Sequence, residues 1–137
     1  MTTEGRCLCG QVKITVSDKP LTDFDTLMCH CANCKRRSGG VASYAFIVPK
    51  QHVSMTGSSH TYYTDEDTGS GEAMQRSMCS HCGSPVCIIE AHAPDMRCLQ
   101  YGLFADVVEL PPPKLELFRS QACRWVTSVG QNVKQQA

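Results

Sequence analysis

Several things are scarce in this 137-residue chain, and each scarcity excludes a class of protein. No apolar run approaches the length of a membrane-spanning helix, so no segment reads as one. The first ten residues, Met1 to Gly10, contain no apolar core of the secretory kind, so export is not expected and a cytoplasmic location is. There is no charge excess: Lys plus Arg and Asp plus Glu are 13 each. A nucleic-acid binder usually carries a basic stripe. The only local candidate, Lys35-Arg36-Arg37, is too short to hold nucleic acid by itself. Helix signals are weak, and there is no linker, internal repeat or low-complexity domain.

What remains is an ordinary globular composition with short β-rich runs. Apolar residues are 42% and charged residues 19%, enough for one domain with a real core. That domain is expected over residues 1–130, with 131–137 as a frayed tail. Gly10–Val16 alternates Val12, Ile14 and Val16 on one face, the pattern of a half-buried strand. Ala42–Val48, His60–Thr64, Pro85–His92, Arg97–Phe104 and Lys114–Phe118 read as further strands, separated by Gly, Pro and Asp turns. The fold class is therefore all-β. Thr64–Glu72, "TDEDTGSGE", reads as a solvated acidic loop.

Ten cysteines are the one excess. Without export, such a density points to metal or thiol chemistry rather than disulfides. Seven fall in tight clusters, and cysteines one or two residues apart rarely meet disulfide geometry. They readily ligate one ion, and zinc suits thiolate sets best. Cys79-Ser80-His81-Cys82-Gly83 and Cys7-Leu8-Cys9-Gly10 read as two knuckles whose four thiolates close one structural zinc site. Such a site would stabilise the fold directly.

Cys29, Cys31 and Cys34 are then left with three ligands and no fourth, the form of a catalytic zinc site with an open position. An exogenous thiol suits that position. Lys35, Arg36 and Arg37 lie beside it as candidates to hold its carboxylates, and the Gly39 and Gly40 amides as candidates to receive an anion. His30, between Cys29 and Cys31, either orients a substrate or moves a proton, or sits exposed or behind the ligands. Cys87 and Cys98 read as small buried hydrophobes. Cys123 reads as spare, or as a fourth ligand or redox partner. Trp125 reads as core or pocket wall.

Three motifs in this order resemble the glutathione-dependent formaldehyde-activating enzyme family, which also contains centromere protein V. They are C-x-C-G-x-V at Cys7–Val12, C-H-C-x-x-C-x-x-x-S-G at Cys29–Gly39 and R-x-x-C-x-x-C-G-S at Arg76–Ser84. The resemblance runs from Gly5 to Trp125. It implies a β-tent fold of several small coiled antiparallel sheets built around zinc. It also implies a structural zinc on Cys7, Cys9, Cys79 and Cys82, and a catalytic zinc on Cys29, Cys31 and Cys34. The implied chemistry is carbon–sulfur lyase-like: glutathione, the expected small-molecule partner and co-substrate, adds to formaldehyde. The ending departs from the family's Ser-Arg-Ala-Pro-Trp-like stretch, reading Ser120-Gln121-Ala122-Cys123-Arg124-Trp125. The rival reading is a non-catalytic zinc module that docks a protein or nucleic acid. A third is a reductase using Cys98 or Cys123.

Overall fold

A computed structural model describes residues 1–136. Eleven strands and one short helix run in the order β1 (Thr2–Arg6), β2 (Lys13–Ser17), β3 (Asp25–Cys29), α1 (Ala32–Ser38), β4 (Ser43–Pro49), β5 (Val53–Thr56), β6 (His60–Asp65), β7 (Met74–Cys79), β8 (Pro85–Glu90), β9 (Met96–Gln100), β10 (Leu115–Leu117) and β11 (Asn132–Val133). The all-β reading holds, and a tent built on zinc is consistent with it. One sheet has three strands, ordered β1-β2-β5, and the other eight, ordered β11-β10-β3-β4-β9-β8-β7-β6.

Alternation in the sequence explains the core. In β2, Ile14 and Val16 turn inward with Val12, while Lys13 faces solvent. On the large sheet Phe46, Val48, Val86 and Leu99 are fully buried against them. Phe104 closes the space from the turn after β9, its ring edge-on to Phe46 at 6.0 Å. The two sheets therefore share one core.

Two expectations change here. Arg97–Phe104 is a strand only to Gln100, because Tyr101–Phe104 curls into a 3-10 turn that drives Leu103 and Phe104 inward. The tail expected to fray is paired: Asn132–Val133 lies parallel to β10, and Lys134 N–H donates to Glu116 O at 2.8 Å. Regular backbone hydrogen bonding holds it there despite its polar side chains.

Gly57 shows how tightly the small sheet is joined. It sits at φ +108°, and a Cβ there would lie 1.8 Å from the Gln11 carbonyl oxygen. Gly57→Ala is expected to cost about 2–4 kcal/mol, since the left-handed backbone and the fixed neighbour both oppose it. The urea midpoint of the variant checks this. Gly71→Ala, also left-handed but in open space, should cost clearly less.

Candidate metal centres

The first cluster joins the two knuckles. Cys7 follows β1 and Cys79 ends β7, and each N–H donates to a carbonyl five residues on, Val12 O and Ser84 O, at 3.0 Å. Gly10 (φ +83°) and Gly83 (φ +76°) supply the left-handed residue each knuckle needs. Leu8 N–H donates to Ser84 Oγ at 3.0 Å, tying one knuckle to the other.

Consequently the four Sγ atoms of Cys7, Cys9, Cys79 and Cys82 all lie within 4.8 Å of one another. Cys7 to Cys9 is 3.6 Å and Cys9 to Cys79 is 3.8 Å. A tetrahedral zinc with bonds of about 2.3 Å has sulfur–sulfur edges of roughly 3.8 Å. The donor set and spacing fit that ion, and the separations are far beyond a disulfide bond. Cys82 is already biased toward thiolate. The Ser84 hydroxyl and N–H, with the Cys9 N–H, push it down to about 5.

The second cluster is built at a strand-to-helix junction. Cys29 ends β3, Cys31 caps α1 and Cys34 lies in its first turn. Cys31 Sγ accepts the Cys34 N–H at 3.3 Å. The three Sγ atoms also lie within 4.8 Å of one another, and among the described residues no fourth Cys, His or carboxylate joins them. Contacts among the three thiols shift Cys31 and Cys29 in opposite directions. Hydrogen bonds from Cys29 and Cys34 push Cys31 down to about 2, while Cys29 is pushed far up by the same contacts and by burial. Three thiols gathered at a helix cap, with Cys31 biased toward thiolate, are a fitting donor set for zinc.

A cavity of about 220 Å³ adjoins this cluster, walled also by Asn33, Arg76, Gln100 and Phe118. A wider depression of about 490 Å³ borders Cys7 and Ser84 but reaches none of Cys29, Cys31 or Cys34. The smaller cavity is the one next to the three-cysteine set.

Several sequence expectations are corrected around it. Lys35, Arg36 and Arg37 do not line the cavity. Arg36 donates to Asn33 Oδ1 at 3.1 Å, Arg37 to Ser77 O at 3.0 Å, and Lys35 to Gln121 O. They occupy the last turn of α1, where cations complement the helix dipole. The glycine amides are also spoken for. Gly39 caps the helix at φ +71° with its N–H on Lys35 O, and Gly40 N–H binds Ser38 Oγ.

The acidic loop is not a free tip. Asp65 is buried and accepts from Arg76 Nε at 2.8 Å, Asn33 Nδ2 holds Asp67 O at 2.6 Å, and Thr68 to Ser70 wall the cavity. Trp125 is neither core nor wall. It is 75% exposed on a turn closed by Val126 N–H to Cys123 O.

His30 is neither exposed nor turned to the cavity. Its ring and the Glu116 side chain are completely buried, with Nε2 2.7 Å from Oε1. A carboxylate only accepts, so Nε2 is the donor. Glu116 Oε1 also takes Arg119 Nη1 at 3.2 Å, and Oε2 takes Ser128 Oγ at 3.0 Å and Gly130 N–H at 3.1 Å. The peptide between Cys29 and Cys31 is thereby anchored to the C-terminal segment. Sequence reasoning missed Glu116, Arg76 and Gln100. Only Arg76 carried a signal, its place in the third motif.

Cys87 and Cys98 are buried as expected, and burial pushes both up to about 12. Cys123 is half-buried and joins neither cluster.

Comparison with known proteins bears on this arrangement. The model of the glutathione-dependent formaldehyde-activating enzyme family matches residues 2–121. The chain belongs to that family. A Halomonas elongata protein carrying the same family description is 26% identical over 129 residues, covering 92% of this chain and 80% of that protein. The crystal structure of a Rhodobacter sphaeroides protein superposes with a TM-score of 0.60 at 20% identity, covering 77% of this chain and 91% of the other. That likeness concerns the fold. The matched span contains both clusters, so the seven cysteines lie inside the family domain.

Proposed function

We propose that the chain is a zinc-dependent carbon–sulfur lyase-like enzyme acting on the adduct of a small-molecule thiol, glutathione in the family's naming, with a small aldehyde. The observation that carries this is the three-thiol cluster opening on a cavity without a fourth protein ligand. Cys7, Cys9, Cys79 and Cys82 would hold a structural zinc; Cys29, Cys31 and Cys34 would hold the catalytic one. Bound there, zinc would supply Lewis-acid activation of a thiol sulfur at neutral pH.

The chain's own residues set the stage. Cys31, as helix cap, and Cys29 and Cys34 beside it fix the donor triangle. The His30–Glu116 pair holds the loop that carries it. Leu27, Ala45, Ile88, Leu117 and Phe118 give the cavity an apolar wall, which limits competition from water. In the reaction a carbon–sulfur bond forms at the aldehyde carbon. The thiol proton leaves sulfur, and the former carbonyl oxygen takes up a proton.

Among the described residues no helix is long and apolar enough to cross a membrane, and a cytoplasmic site of action suits thiols kept reduced. Exchange NMR of formaldehyde with glutathione tests the reaction. Adduct exchange should accelerate in proportion to enzyme concentration. A rate equal to the buffer's own reversible addition would sink it.

A further inference from the structure

Natural sheets guard their outer strands, because an unpaired row of N–H and C=O groups invites another chain. Among the described residues the two sheets have four outer strands, and three are guarded. β1 carries Glu4 and Arg6, β5 is four residues long, and β11 is two residues long and followed by Lys134. β6 has none of these devices. Its stretch His60–Thr64, "HTYYT", contains no proline, lysine, arginine or carboxylate. Burial pushes the His60 imidazole down, toward its neutral form. Tyr62 and Tyr63 are 51% and 60% exposed, with Thr61 and Thr64 exposed on either side.

The bonds of β6 to β7 fix which of its backbone groups face outward. Ser80 N–H donates to Ser59 O at 2.6 Å, and His60 lies opposite Cys79. In an antiparallel ladder, hydrogen-bonded and non-bonded pairs alternate. Thr61, Tyr63 and Asp65 therefore bond to β7, while His60, Tyr62 and Thr64 turn their N–H and C=O groups outward. Cys79 agrees, since its N–H goes to Ser84 O on the β8 side.

This edge is complementary to a copy of itself. Turned antiparallel about a two-fold axis at Tyr62, it sets Tyr62 opposite Tyr62, and His60 opposite Thr64, of a second copy. Each such pair exchanges both of its bonds, so every outward group from His60 to Thr64 is satisfied. On the other face of the sheet the same register puts Thr61 against Tyr63, a favourable β-branched–aromatic pair. Charge selects the same direction. Asp65, Glu66 and Asp67 lie at one end of the edge, and Gly57, Ser58 and Ser59 at the other. Antiparallel pairing lays the acidic end beside the uncharged one, whereas parallel pairing would set acid against acid.

We propose that β6 is a self-association edge: two copies of this chain pair His60–Thr64 antiparallel about Tyr62, joining their eight-stranded sheets into one continuous sheet. A single strand pair is a narrow contact, so association belongs at micromolar rather than nanomolar concentrations. The pairing does not depend on the chemistry of the cysteines.

Sedimentation equilibrium of the full chain tests this, run with a non-thiol reductant so that no intermolecular disulfide contributes. The mass should rise from 15.0 kDa toward twice that value between micromolar and millimolar concentrations. Amide exchange followed by NMR over the same range locates the contact. Protection of His60, Tyr62 and Thr64 should rise several-fold with concentration, while Thr61 and Tyr63, already bonded to β7, should change little. Tyr62→Lys sets two cations against each other on the axis and should hold the chain at 15.0 kDa. Equimolar mixing with Tyr62→Glu should restore the doubled mass, because in this register position 62 meets itself.

A mass of 15.0 kDa at every concentration overturns the proposal and leaves the edge to a different partner chain. A dimer that Tyr62→Lys leaves intact, with His60, Tyr62 and Thr64 amides exchanging freely, also overturns it, since another face then makes the contact. If Tyr62→Lys does not fold, the amide protection of the unaltered chain decides the question.

Discussion

Cys79→Ser should abolish cooperative folding. Cys79 is fully buried, ends β7, and shares its cluster with Cys7 and Cys9, which lie some seventy positions away in the chain. A structural zinc contributes roughly 10–16 kcal/mol to such a site. The net stability of a typical domain is only about 5–15 kcal/mol. Losing one thiolate of four therefore removes an amount comparable to the whole. The knuckles cannot compensate, since beyond the sulfur cluster they meet mainly through the Leu8–Ser84 hydrogen bond. Circular dichroism during urea unfolding checks this, with Cys87→Ser as the control. Cys87 is equally buried but lies outside both clusters, so its loss should cost about 1–3 kcal/mol and leave one cooperative transition.

Glu116→Ala should destabilise the chain by about 3–5 kcal/mol, the range for breaking a buried charged pair from one side. Four groups lose their acceptor at once: His30, Arg119, Ser128 and Gly130. Glu116→Gln keeps the shape and part of the hydrogen bonding, and should cost less than half as much. The pH dependence follows from the direction of the Glu116 shift. Burial pushes its carboxyl up, but bonds from His30, Gly130 and Ser128 outweigh burial and hold it below the usual 4.5. A depressed carboxyl stabilises the native state above its unfolded value. That contribution disappears as pH falls through the native value. The stability difference between wild type and Glu116→Gln should therefore be constant near neutrality and shrink below about pH 4.5, as read from urea midpoints.

How much of this was legible in the sequence depended on whether the signal was local. The strands with alternating or β-rich runs, such as Lys13–Ser17 and Ser43–Pro49, could be read because burial on one face leaves a period of two. Both cysteine clusters could be read because ligand spacing is a local constraint. Helix α1 could not: it is seven residues long, buries only Cys34, and is capped by a thiol rather than the usual hydroxyl or carboxylate. Strand β3, "DTLMC", has too short a pattern to separate from a loop. The cations were assigned to the site by adjacency along the chain, whereas helix geometry points them elsewhere. Arg76 and Gln100 come from strands β7 and β9, and only sheet order brings them to the cavity. Glu116 sits in the middle of "LEL", and nothing local marks its charge as buried. The parallel pairing of β10 with β3 places it beneath His30 instead.

The division of labour between the two clusters is the central claim, and zinc stoichiometry tests it most directly. Elemental analysis of the intact chain should give two zinc ions. Cys31→Ser should retain one, with the circular dichroism spectrum and a cooperative urea transition preserved, because the four-cysteine site is untouched. Loss of both ions together with folding in Cys31→Ser would contradict the separation into a structural and an open site. So would two ions retained with their affinities unchanged.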